Sequence, residues 1–81
     1  MNMEAEIESA WDELVEGGYP QLFVAEQEKH VSPRGEDITY CRIAFNYNNK
    51  VYGTRISSKY DIKEQVKEYL IRCRIRIKDN P

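Results

Sequence analysis

The sequence predicts an α+β domain in the order α-β-β-β-α, with a three-stranded antiparallel sheet and two helices packed on one of its faces. Three observations predict it. Apolar residues recur at spacings of three and four over residues 3–16. They do so again beyond Ser57-Ser58. Between these stretches, residues 38–47 carry Cys41, Ile43, Phe45 and Tyr47 on one side, and residues 50–56 return as a strand across Asn48-Asn49. A chain of 81 residues has room for one domain, spanning 1–81, and its 41% apolar and 32% charged residues mark a chain that folds.

In the first helix, Met3, Ile7, Ala10, Trp11, Leu14 and Val15 share one face, and Glu4, Glu6, Glu8, Asp12, Glu13 and Glu16 take the rest. Gly17-Gly18 is read as its stop, and Pro20 prevents continuation. Residues 21–30 form the first strand, from Leu22, Phe23 and Val24 into Glu26, Gln27 and Glu28. Ser32-Pro33-Arg34-Gly35 has the chemistry of a loop. In the second strand Cys41, Ile43, Phe45 and Tyr47 point one way, while Tyr40, Arg42, Ala44 and Asn46 point the other.

Asparagine tolerates positive φ, so Asn48-Asn49 suits a two-residue hairpin turn. That turn fixes the register. Tyr47 faces Lys50, Phe45 faces Tyr52, Ile43 faces Thr54 and Cys41 faces Ile56 on the core side. Ala44 then faces Gly53, and Arg42 faces Arg55, on the open side. Two like charges in direct opposition need compensation, expected from Glu26 or Glu28, or from an anionic partner.

Ser57 or Ser58 is the expected N-cap of the second helix, with Asp61 and Glu64 in its first turns. Ile62, Val66, Tyr69, Leu70, Cys73 and Ile77 form its apolar face, flanked by a basic stripe of Lys59, Lys63, Lys67, Arg74 and Lys78. No Gly or Pro interrupts the segment, so the helix is expected to run to about residue 75. Residues 71–78 also alternate strictly, which makes a final strand the competing reading. Ile71 and Ile75 fall outside the helical core face and suggest self-association. Trp11, Leu14, Ile43, Phe45, Val66 and Leu70 are expected to form the centre of the core.

The net charge of −2 hides an asymmetry. Residues 1–40 hold ten Asp/Glu against two Lys/Arg, and residues 41–81 hold ten Lys/Arg against four Asp/Glu. Such a dipolar chain points to an interaction protein. The acidic N-terminus lacks the apolar core of a signal peptide, and no apolar run is long enough for a membrane span. The expectation is a cytoplasmic protein with no membrane association. Cys41 and Cys73 are then expected to be buried free thiols. With His30 as the single histidine, neither a zinc set nor a nucleophile–base pair is expected, and no cofactor is implied.

Two short segments carry a resemblance. Trp11-Asp12-Glu13-Leu14 is similar to a Leu-Asn-Glu-Leu segment of a first helix, and Ser58-Lys59-Tyr60-Asp61-Ile62-Lys63 is similar to a Ser-Lys-Lys-x-Ala-Lys start of a second. Both belong to the double-stranded-RNA-binding domain, which the chain resembles in element order over roughly residues 7–71. The resemblance implies that the second-helix start grips phosphates, while the first helix and first β-loop reach flanking minor grooves. The chain departs from that pattern. Ser32-Pro33-Arg34-Gly35 stands where the family has Gly-Pro-x-His, and Tyr60 replaces the middle lysine. The first helix is acidic, which repels phosphate.

The function expected from these residues is a non-enzymatic protein-binding module, an inhibitor or adaptor of the small, charge-dense kind that phage and mobile elements encode. It would dock Glu6, Asp12, Glu13 and Glu16 into a charged groove on another protein. The alternative is a domain binding double-stranded RNA or DNA through Arg34, Arg42, Arg55, Lys59, Lys63, Lys67 and Arg74. A further variant reads DNA with the sheet face through Tyr40, Arg42 and Arg55.

Overall fold

A computed structural model describes residues 2–16 and 20–78. Helix α1 (Met3–Leu14) is followed by β1 (Leu22–Val24), β2 (Glu28–Val31), β3 (Asp37–Tyr47), β4 (Lys50–Ser57) and helix α2 (Ile62–Arg72). The architecture is α+β, with an antiparallel sheet of four strands. Both helices lie on one face of the sheet. Their apolar stripes close over Cys41, Ile43, Phe45 and Ile56 in a single core cluster.

The hairpin has the register that its turn dictates. Every expected pair from Tyr47–Lys50 to Cys41–Ile56 is present. Asn48 and Asn49 carry φ of 51° and 65°, the left-handed pair that matches strand twist.

The expected first strand, 21–30, is instead two segments on the same edge of β3. Leu22–Val24 pairs with residues 45–43 and Glu28–Val31 with residues 40–37. Residues 25–27 span what two residues of β3 span, so the break is a bulge with one extra residue. Its amide ladder persists one step, from the Ala25 N–H to the Arg42 carbonyl at 2.9 Å. The Gln27 side chain then turns away to accept the Met3 N–H at 2.7 Å. The bulge reverses side-chain parity. Leu22 and Val24 face the core, whereas Glu28 and His30 pair with Tyr40 and Ile38 and face the open side.

Helix α1 is capped by Asn2, whose side chain accepts the Ala5 N–H at 3.1 Å. The Gly17-Gly18 stop lies outside the described residues. The Trp11 indole N–H donates to the Pro20 carbonyl at 2.9 Å, so this buried donor is satisfied.

Helix α2 starts later than its serines suggest. Asp61 is the N-cap, accepting the Glu64 N–H at 2.9 Å. Ser58 is spent elsewhere, its hydroxyl accepting the Thr39 N–H at 3.0 Å. The Gln65 side chain holds both the Ser57 N–H (2.9 Å) and the Ser57 carbonyl (2.7 Å). These bonds hold Ser57 at the end of β4 and Ser58 in the turn that follows, and delay the helix.

The end of α2 corrects two expectations. The helix stops at Arg72 rather than near residue 75, and residues 71–78 are not a strand. Arg74 takes φ 60°, its N–H donates to the Ile71 carbonyl at 2.9 Å, and the Ile75 N–H reaches the Leu70 carbonyl at 2.9 Å. This is the Schellman closure, with arginine where glycine is usual. The reversal buries Ile75 against Leu70 in the core, so Ile75 is no self-association surface; Ile71 remains exposed. Ile77 packs at the core margin. The Lys78 N–H then donates to the Leu14 carbonyl at 2.7 Å, and its Nζ to the Asp12 carbonyl at 3.1 Å. The last turn of α1 has no basic residue of its own, and Lys78 supplies the cation that the negative helix end favours.

Two stability outcomes follow from this packing. Trp11→Ala should lose about 3–5 kcal/mol, because the indole is buried against Phe45; a melt near the wild-type temperature would contradict that placement. Arg74→Gly should stabilise by up to about 1 kcal/mol in denaturant titration, because glycine has no Cβ to oppose the left-handed conformation.

Candidate functional site

The acidic residues of α1 and its C-terminal edge form two rows. Glu4, Glu8, Asp12 and Glu16 follow at intervals of four, and Glu6 and Glu13 lie on a neighbouring face at an interval of seven. Glu6, Asp12, Glu13 and Glu16 are all exposed. Like charges at i and i+4 repel, and α1 contains no Lys or Arg to relieve them. Relief comes from outside: Lys63 Nζ meets Glu13 Oε2 at 2.7 Å, and the Lys78 ammonium sits on the Asp12 carbonyl at the helix end. The Lys63 ammonium is accordingly held above its ordinary pKa, first by the hydrogen bond and then by the charge of Glu13.

That contact sits in a groove between α1 and the start of α2, lined by Glu6, Ser9, Ala10, Glu13, Asp61, Ile62 and Lys63. Three carboxylates and one ammonium leave it negative. Lys63, read from the sequence as part of a basic stripe, belongs to this acidic groove. Lys59 lies apart, over the Tyr60 ring (6.0 Å to its centroid), beside the loop that carries Arg34. Arg34 and Lys59 line one concavity with Ser32, Pro33, Glu36 and Ile38. Ser32 shapes that loop by accepting the N–H groups of Arg34 (3.3 Å) and Glu36 (3.0 Å). Lys67 is half-buried on α2, and Arg74 is exposed at its C-terminal reversal. The basic residues are therefore not one continuous track.

Arg42 and Arg55 do stand opposite each other on the open sheet face. Neither Glu26 nor Glu28 compensates them: among the described residues no carboxylate pairs with either arginine. Glu28 lies 3.7 Å from His30 instead. The Arg55 guanidinium stacks over the Tyr40 ring at 4.5 Å, and His30 meets the same ring edge-on at 5.3 Å. Sequence reasoning singled out Tyr40, Arg42 and Arg55 but not His30 or the exposed Phe23. The bulge that turns His30 outward has no simple sequence signature, and Leu22, Phe23 and Val24 are all apolar, so their pattern does not mark which of them faces outward.

Among the described residues, no three His, Cys, Asp or Glu side chains group as metal ligands, and no helix is long and apolar enough to cross a membrane. Both cysteines are free thiols; Cys41 is buried, whereas Cys73, expected to be buried, is only half-buried because it caps the C-terminal end of α2. Burial, then the charge of Glu4, pushes the Cys41 thiol up from its ordinary pKa. Tyr69 is likewise raised, by burial first and then by the neighbouring Cys73, while its hydroxyl donates to the Gly53 carbonyl at 2.8 Å.

No family model, curated protein or solved structure matches this chain.

The thiols give a direct check of burial and sign. A raised pKa leaves less Cys41 thiolate near neutrality, and burial blocks the reagent as well. Thiol labelling at pH 8 should therefore modify Cys73 first and Cys41 only at the rate of global unfolding. Fast native labelling of Cys41, read by mass spectrometry after proteolysis, would refute its place in the core.

Proposed function

We propose that the protein is a non-enzymatic protein-binding module whose acidic ridge docks against a basic groove or patch on a partner protein, as an inhibitor or adaptor does. One observation carries the reading. Helix α1 and its C-terminal edge hold Glu4, Glu6, Glu8, Asp12, Glu13 and Glu16 with no cation of their own, and among the described residues a single side-chain ion pair, Glu13–Lys63, relieves them. Repulsion along the ridge weakens the free helix, and a cationic partner would convert that cost into affinity and specificity. The apolar stripe beneath is buried in the core, so the acidic residues project from the opposite side of a packed helix.

Nucleic-acid binding through the helical face is the second reading, and the shared concavity of Arg34 and Lys59 favours it. The resemblance to double-stranded-RNA-binding domains would place α1 against a minor groove. Here that helix brings Glu6 and Glu13 beside Asp61, and phosphates are repelled there.

The combined variant Glu6→Lys, Asp12→Lys, Glu13→Lys, Glu16→Lys separates the two. These side chains are exposed, so its melting temperature should stay close to wild type. In capture from a lysate of the native host, wild type should retain a basic protein that the variant loses. The second reading requires the opposite sign: the variant would keep its fold and gain strong affinity for duplex RNA or DNA in a fluorescence-anisotropy titration.

A further inference from the structure

The open face of the sheet is independent of the acidic ridge, and the helices leave it uncovered. Its side chains fall into rows set by the register. Phe23, Ala44 and Gly53 form one row, Arg42 and Arg55 the next, and Glu28, Tyr40 and Ser57 the third. Rows two residues apart along a strand are separated by about 7 Å. The face thus presents an aromatic ring, then a pair of cations, then a second aromatic ring, in steps close to the spacing of nucleotides in an extended single strand.

Each row is available. Phe23 is 58% exposed. Ala44 and Gly53 beside it give a floor low enough for a flat base to lie against. Among the described residues Arg42 and Arg55 have no carboxylate partner, although directly opposed arginines repel. Arg55 lies on the Tyr40 ring, so guanidinium and ring form one stacking surface, with His30 at its edge. The one carboxylate in these rows, Glu28, is beside His30.

We infer that this face binds single-stranded nucleic acid, with bases stacked on Phe23 and on the Tyr40–Arg55 platform and the intervening phosphates held by Arg42 and Arg55. Charge complementarity selects a polyanion. The exposed Phe23 ring and the Arg55 guanidinium lying on the half-buried Tyr40 ring select unpaired bases, because a duplex keeps its π-faces inside.

The test is a fluorescence-anisotropy titration of the full chain with a short labelled oligothymidylate at low salt. Wild type should bind with a steep salt dependence. The Arg42→Gln, Arg55→Gln double variant should weaken binding at least tenfold and lower the salt slope by about 1.4, because each phosphate neutralised on a single strand adds about 0.7 to that slope. Phe23→Ala, at an exposed position that the fold does not need, should weaken binding about tenfold with little change in the salt slope. Lys59→Gln, Lys67→Gln should leave it unchanged. The inference is overturned if wild type does not bind, or if Phe23→Ala and the arginine variant bind as wild type does. Equal affinity for duplex DNA or for polyglutamate would also overturn it, by assigning the face to a different class of partner.

Discussion

The fold depends on one ring. Phe45, at the centre of the sheet in β3, lies 5.0 Å from Trp11, 5.3 Å from Tyr52 and 6.1 Å from Tyr69, between ring centroids. Those three side chains come from α1, β4 and α2, so every layer of the molecule meets at this strand position. A small domain has few buried large side chains, and its net stability is a small difference between large terms. Concentrating contacts on Phe45 orients both helices against the same stretch of sheet. The polar atoms of the partner rings are also satisfied, the Trp11 indole N–H by the Pro20 carbonyl and the Tyr69 hydroxyl by the Gly53 carbonyl.

The parts of this arrangement that were legible in the sequence are those governed by local rules. Asn48-Asn49 admits the left-handed turn, and a two-residue turn leaves one register, which puts Phe45 and Ile43 on the core side. The helical stripes were equally plain. What escaped were features decided by distant partners. The bulge at residues 25–27 is stabilised by Gln27 reaching the start of α1, a contact with no local pattern. Ser57 and Ser58 have good capping chemistry, but their hydroxyls accept the N–H groups of Lys59 and Thr39 instead. Arg74 is a poor left-handed residue by intrinsic preference, and burial of Ile75 pulls it there.

The candidate surfaces show the same division. Composition revealed the acidic helix and the basic second half. It did not reveal that Lys63 sides with the acids through Glu13, or that the remaining cations are dispersed. Cross-strand opposition of Arg42 and Arg55 followed from the turn, but their compensation did not. An aromatic ring rather than a carboxylate accompanies Arg55, which leaves the positive charge unneutralised and outward. The two faces of the sheet thus differ in chemistry. One carries both helices above a packed core. The other carries two arginines, without a carboxylate partner among the described residues, between the exposed Phe23 and the half-buried Tyr40.

The closure of α1 by Lys78 has a temporal consequence. Helix α1 is synthesised ahead of the sheet, with its apolar stripe and its terminal carbonyls unmatched. Two of its end contacts, Lys78 N–H to Leu14 and Lys78 Nζ to Asp12, come from the far end of the described residues, and Ile75 completes the core from that same segment. A nascent chain that has produced α1 and the hairpin still lacks the piece that shuts them together. Isolated short helices are marginal in water, so a ribosome-bound intermediate would hold α1 loosely. Completion of the native state therefore waits on the region around residue 78, whose contacts with α1 close a long loop.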